Sequence, residues 1–145
     1  MPNYVFNILL VEGSQDDRAL IIPDEFDFGN LVRCSNNLID EDMKEWRMNN
    51  WGTFSDAIDV VVKDLSCITE VRFLTIITRP DKWFKNVCLK FPKIKMKLIS
   101  RIENTKIIIT EYYKGNYIET IFEDSNDDYI YTNATYFQHF YSHLI

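Results

Sequence analysis

Apolar and polar positions alternate along Tyr4 to Val11 with the period of a strand: Tyr4, Phe6, Ile8 and Leu10 fall on one face, and Val5, Leu9 and Val11, interrupted by Asn7, on the other. Gly13 and Ser14 end that run. Ser14-Gln15-Asp16-Asp17 then predicts a capped helical turn reaching Ile22, which Pro23 stops. No clear period follows from Asp24 to Asn37. Asp40 to Met48 reads as a short helix, with carboxylates in its first turn and Lys44 and Arg47 toward its end, as the helix dipole favours.

The segment Asn49-Asn50-Trp51-Gly52-Thr53 is a corner, since Gly52 lets the backbone turn tightly beside the bulk of Trp51. Ala57 to Val62 alternates too little for a half-exposed strand, so a buried one is expected, and the corner should join a helix to a core strand. Glu70 to Thr78 is apolar on both sides and should be a strand covered on both faces. Arg79-Pro80-Asp81 opens a helix that places Trp83, Phe84, Val87, Cys88 and Phe91 on one side and Lys82, Lys85, Asn86 and Lys90 on the other; Leu89 falls on the polar side.

The cleanest alternation is Lys93-Ile94-Lys95-Met96-Lys97-Leu98, with an apolar face inward and a lysine face outward. Lys106 to Tyr113 and Asn116 to Phe122 are two further strands, joined through Lys114-Gly115 as a hairpin. Glu123 to Asp128 reads as an acidic loop, and Asn133 to Leu144 as a closing helix with Tyr136, Phe137, Phe140 and Tyr141. This succession predicts an α+β fold, an antiparallel sheet with one main helix packed on it. Residues 66–123 would form a ferredoxin-like core, and residues 1–65 an N-terminal strand and helix part sharing it, within a single domain of residues 1–145.

The chain has 145 residues, 46% of them hydrophobic, with ten Phe, eight Tyr and three Trp, enough for a substantial core. Cys34, Cys67 and Cys88 are odd in number and form no Cys-x-x-Cys pair, so reduced thiols in a cytoplasmic protein are expected. The start lacks a basic leader, and no apolar run approaches the roughly 18 residues of a membrane span.

Charge is unevenly distributed along the chain. Arg79 to Lys106 holds nine basic against two acidic residues, a local +7, which leaves seven basic and twenty acidic elsewhere, −13, within the net −6. Lys82, Lys85, Lys93, Lys95, Lys97 and Arg101, with Tyr112 and Tyr113 nearby, suit RNA or DNA as phosphate contacts and stacking platforms. The bland alternative is a solvated lysine face that blunts a strand edge, and geometry favours it: the strand lysines should project away from Lys82 and Lys85, making two patches and no groove. The acidic remainder, Asp16, Asp17, Asp40, Glu41, Asp42, Asp124, Asp127 and Asp128, suits a basic groove on a protein partner by charge complementarity.

Other constellations are weaker. His139 and His143 stand four apart on one face of the expected last helix, but no third ligand accompanies them, so no metal or other cofactor is expected. Asp124, Asn126 and Asp128 imitate a calcium loop without its glycine and final glutamate. Asp27-Phe28-Gly29 matches the kinase triplet by letters only, and no nucleophile elbow or Cys-His pattern organises the remaining nucleophiles.

Four segments carry a family likeness: Met1-Pro2-Asn3-Tyr4 with Asn7; Phe26-Asp27-Phe28; Asn50-Trp51-Gly52-Thr53 with Ala57 and Asp59-Val60; and Val71-Arg72-Phe73 through Pro80 to Phe91-Pro92. In this order they resemble the YubB-like small phage and plasmid proteins, the Trp-Gly-Thr corner being the most specific feature. The chain departs from that pattern at Ile76-Ile77-Thr78-Arg79, where a tryptophan usually precedes the proline. The resemblance implies a ferredoxin-like domain, no assigned activity and an origin in a mobile element. The expectation is therefore a non-enzymatic binding protein in the bacterial host cytoplasm. It would inhibit a host protein or nucleoprotein such as a CRISPR defence effector; a nucleic-acid-binding module using residues 79–106 is the alternative.

Overall fold

The computed structural model describes residues 4–23, 25–34, 39–102 and 106–122. The first strand, β1 (Tyr4–Glu12), lies inside the sheet, paired on one side with β3 (Ile68–Ile76) and on the other with β4 (Lys95–Ile102). β2 (Ile58–Asp64) extends the β3 side, and β5 (Lys106–Tyr113) and β6 (Asn116–Phe122) extend the β4 side. Among the described residues the result is one six-stranded sheet in the order β2-β3-β1-β4-β5-β6, antiparallel at every pairing. Among the described residues, none of the helices is long and apolar enough to cross a membrane.

Register follows from the side-chain pattern, because a slip of one residue would exchange the two faces. Ile8 stands opposite Arg72 and Ile99, and Leu9 opposite Val71 and Leu98. Leu9, Val11, Val71, Phe73, Met96, Leu98 and Tyr112 thus share one face, and on it pack the helices. These are α1 (Gln15–Ile21), α2 (Asp40–Asn50) and α3 (Asp81–Lys90), with a 3-10 turn at Phe28–Asn30. All three α-helices of the described residues stand where the sequence predicts helical segments. α3 is the main one, burying Trp83, Phe84, Val87 and Cys88 where α2 buries no residue fully.

Trp83 is the centre of this core. Its ring lies 5.0 Å from Phe28 and 5.4 Å from Phe26, and its indole N–H donates to the Phe28 carbonyl at 3.1 Å. Burying each such ring contributes roughly 1.5–3 kcal/mol, and the indole partner avoids the penalty of a dry donor. On the other face of the sheet Ile8, Ile99, Ile107 and Ile109 form a second apolar cluster, with Phe6, Leu10 and Leu74 against it. Val71 and Phe73 on the first face and Glu70 and Arg72 on the second are all buried, so β3 is enclosed on both sides as its composition predicts.

Two expectations change. The segment Ala57 to Val62 is not a buried strand: β2 is the sheet's edge, largely half-exposed or exposed, and the corner leads into an edge strand. Its apolar run reflects partial cover on one margin, and Asp59, at φ +52, breaks its register between Ile58 and Val61. The lysine strand begins at Lys95, so Lys93 belongs to the preceding turn. The predicted acidic loop and closing helix, with Asp124, Asp127, Asp128, His139 and His143, lie outside the described residues.

Candidate functional site

The Trp-Gly-Thr corner answers to packing. Trp51 caps α2 and is 3% exposed; its indole N–H donates to the Val32 carbonyl at 2.9 Å, and its ring meets Phe28 and Trp46 edge-on. The Arg47 guanidinium lies 5.4 Å from that ring. The Trp51 carbonyl accepts the Trp83 backbone N–H at 3.1 Å, in the first turn of α3. Gly52 has φ +83, and a Cβ there would collide with the Asp81 carboxylate and press on Lys82 N at 3.2 Å and Arg79 O at 3.3 Å. The corner is therefore a latch holding α2 against the start of α3.

Next to the latch runs a buried polar row. Asn7 Nδ2 donates to Thr75 Oγ1 at 3.0 Å, and Ser100 Oγ donates to Asn7 Oδ1 at 2.7 Å. Arg79, 7% exposed, crosses above: Nε donates to Ser100 Oγ at 3.3 Å, Nη2 to Thr110 Oγ1 at 2.6 Å, and Nη1 reaches Glu119 Oε1 at 3.1 Å. Burial lowers the Arg79 pKa, with Glu119 working against that shift. The neighbouring Tyr117 phenol is raised, again by burial, and Arg79 offsets part of it.

This row borders a hollow of about 330 Å³ lined by Gly52, Ile77, Thr78, Arg79, Asp81 and Lys82. Ile77 sits there at φ +69, a costly conformation for a β-branched residue. Thr78 holds the bend by donating to the Gly52 carbonyl at 2.8 Å. A second hollow, of about 390 Å³, adjoins Gln15, Arg18, Ile22, Asp64 and Thr69. Arg18 is 5% exposed there and its guanidinium serves the carbonyls of Gly13, Leu65 and Ser66, Thr69 Oγ1 and the Asp64 carboxylate.

The six predicted basic residues do not converge. Lys82 and Lys85 are exposed on α3, whereas Lys95, Lys97 and Arg101 share the sheet face turned away from the helices, with Ile99. Lys95 pairs with Glu12 at 3.6 Å and Lys97 with Glu111 at 2.8 Å, and Arg101 is buried at 9% exposure. Tyr112 is buried in the helical core while Tyr113 is exposed beside Lys95. Of the acidic residues, Asp16 and Asp17 lie exposed in the first turn of α1 and Asp40, Glu41 and Asp42 in that of α2. Among the described residues none of these five makes an ion pair.

Asp27 of the kinase-like triplet caps the 3-10 turn by accepting Asn30 N–H at 2.7 Å, and Phe28 is core. Burial pushes the Cys88 thiol up to about 12. Among the described residues no three His, Cys, Asp or Glu side chains cluster as metal ligands.

Two features escape a local reading. The polar row shows in sequence only as the Asn7 interruption, and the edge position of β6 does not show at all. Compared with known proteins, the chain matches no family model, no curated protein and no solved structure.

Proposed function

We propose that this chain is a non-enzymatic binding protein of phage or plasmid type, built on a ferredoxin-like core, which occupies a basic surface of a host protein or nucleoprotein. The strand order β2-β3-β1-β4, with helices between β1 and β2 and between β3 and β4, supports such a core over residues 4–102, in place of the 66–123 expected from the sequence. β5 and β6 are then additions beyond its β4 edge.

One observation carries the functional reading. The exposed carboxylates of the α1 and α2 turns make no ion pair among the described residues, while Arg79, Lys95 and Lys97 of the basic segment each hold a carboxylate of this chain. Unpaired exposed carboxylates keep their full field for steering a basic partner. The arginines best placed for chemistry, Arg18 and Arg79, are likewise consumed in holding elements together. The separation of Lys82 and Lys85 from Lys95 and Lys97 leaves the nucleic-acid reading with less support.

The test is capture of partners from expressing bacterial cells, with the native chain beside a variant carrying Asp16→Asn, Asp17→Asn, Asp40→Asn, Glu41→Gln and Asp42→Asn. A retained host complex that the native chain binds, that the variant loses and that elutes with salt is the expected result. Equal retention by both chains, or retention of RNA or DNA alone, would overturn it.

A further inference from the structure

Among the described residues, the two edge strands of the sheet, β2 and β6, differ in character. An edge strand offers a row of unpaired N–H and C=O groups, and proteins usually blunt it with a bulge, a proline, a lysine or a short length. β2 carries such devices: the register break at Asp59 and the charges of Asp59, Lys63 and Asp64. β6 carries none of them. It runs seven residues in unbroken register with β5, and its one charge, Glu119, is already held by Arg79. Tyr117, Ile118 and Ile121 are 40%, 56% and 47% exposed on it.

We propose that β6 pairs with β6 of a second copy of this chain, antiparallel about a twofold axis through Ile118. This goes beyond the acidic docking proposed above and does not rest on it. The argument is one of parity. Lys114 and Gly115, at φ +49 and +84, make a two-residue turn of the primed type, so its closing pair Tyr113 and Asn116 exchanges both main-chain bonds. From there Asn116, Ile118 and Thr120 aim their N–H and C=O at β5, and Tyr117, Glu119 and Ile121 aim theirs outward.

An identical strand can therefore add only where outward-facing residues meet one another, which places the helical layers of both copies on the same side of one continuous sheet. Centring the axis on Glu119 would set two carboxylates side by side. Centring it on Ile118 pairs Tyr117 with Glu119 of the partner subunit, forming about four main-chain hydrogen bonds. Ile118, more exposed than Tyr117 or Ile121, then meets its own copy at the closely spaced, non-hydrogen-bonded position. The second copy supplies for β6 what β4 supplies for β5, a paired edge, and gives Ile118 an apolar neighbour.

The experiment is sedimentation velocity on the full chain from about 1 to about 300 μM, the range in which a small interface dissociates. The expected result is a shift from monomer to twice the monomer mass as concentration rises. Ile118→Lys should remain monomeric throughout with an unchanged melting temperature. In a background of Cys34→Ser and Cys67→Ser, Ile118→Cys should form a reducible dimer on air oxidation, since the closely spaced pair lies within disulfide reach. Thr120→Cys, two residues off the axis, should form much less. A native chain that stays monomeric at every concentration overturns the proposal, as does an Ile118→Lys variant that dimerises like the native chain. Preferential crosslinking through Thr120→Cys overturns the Ile118 axis.

Discussion

At the β2 margin of the sheet, Arg18 reaches from α1 to the Leu65 and Ser66 carbonyls and to Asp64 and Thr69, tying a helix to the β2-β3 hairpin. The corner that feeds β2 is locked in turn by Trp51, Gly52 and Thr78 onto the start of α3. At the β6 margin the described side-chain ties are the Arg79–Glu119 pair and the contact of Phe84 with Tyr117, ring centroids 6.4 Å apart. One edge is tethered from several elements and broken in register; the other is regular and lightly held. Local stability follows the number of such buried ties, so the β2 side should resist opening while the β6 side stays available to a partner.

The strongest way to break this contrast is at the latch. Gly52→Ala forces a side chain into φ +83 and against Arg79 O, Lys82 N and the Asp81 carboxylate. The expected loss is about 2–3 kcal/mol, read as a lower urea midpoint. Hydrogen exchange should accelerate at the start of α3 and in β2 first. A loss below about 0.5 kcal/mol would mean that the corner is not a latch.

On the lightly held side the expected effect is smaller. Glu119 is 45% exposed at its side chain, and Glu119→Gln leaves Arg79 its bonds to Ser100 and Thr110. A loss under about 1 kcal/mol is expected, as for other partly solvated pairs. Faster amide exchange should be confined to β5 and β6. Exchange spreading into β1 and β3 would show that the two margins are not held separately.

These margins were unequally legible in the amino-acid pattern. The β5-β6 hairpin could be read to the residue, because strand alternation on both sides brackets a Lys-Gly pair suited to positive φ. The apolar face of α3 was equally plain, since its periodicity is local. β2 misled because Val60-Val61-Val62 reads as core wherever it sits, and only the pairing of distant strands decides which strand is last. The polar row was hidden for the same reason: Asn7 and Ser100 are 93 residues apart and become partners only through the β1-β4 register. The edge devices of β2, a bulge and a positive-φ aspartate, leave no signal that composition alone would reveal.

The finest test concerns how β2 begins. Asp56 Oδ1 accepts the Phe28 N–H at 2.8 Å and the Ala57 N–H at 2.7 Å, clasping the core turn to the entry of the edge strand. Burial raises its pKa above 3.8, and Asp27 adds to that, while the two backbone bonds and Arg47 pull the other way. A carboxyl raised by folding contributes stability that is fully present below the unfolded value near 3.8 and is lost as pH rises through the folded value. At neutral pH the ionised clasp therefore costs something, and Asp56→Asn, whose Oδ1 can accept both N–H groups, should equal or exceed the native chain by up to about 0.5 kcal/mol. Denaturation measured from pH 7 down to pH 4 should show that margin shrinking toward zero or below, as the native carboxyl protonates. If the variant instead loses more at pH 7 than at pH 4, the charge of Asp56 is stabilising, and the entry to β2 is held by electrostatics as firmly as the Arg18 tie beside it.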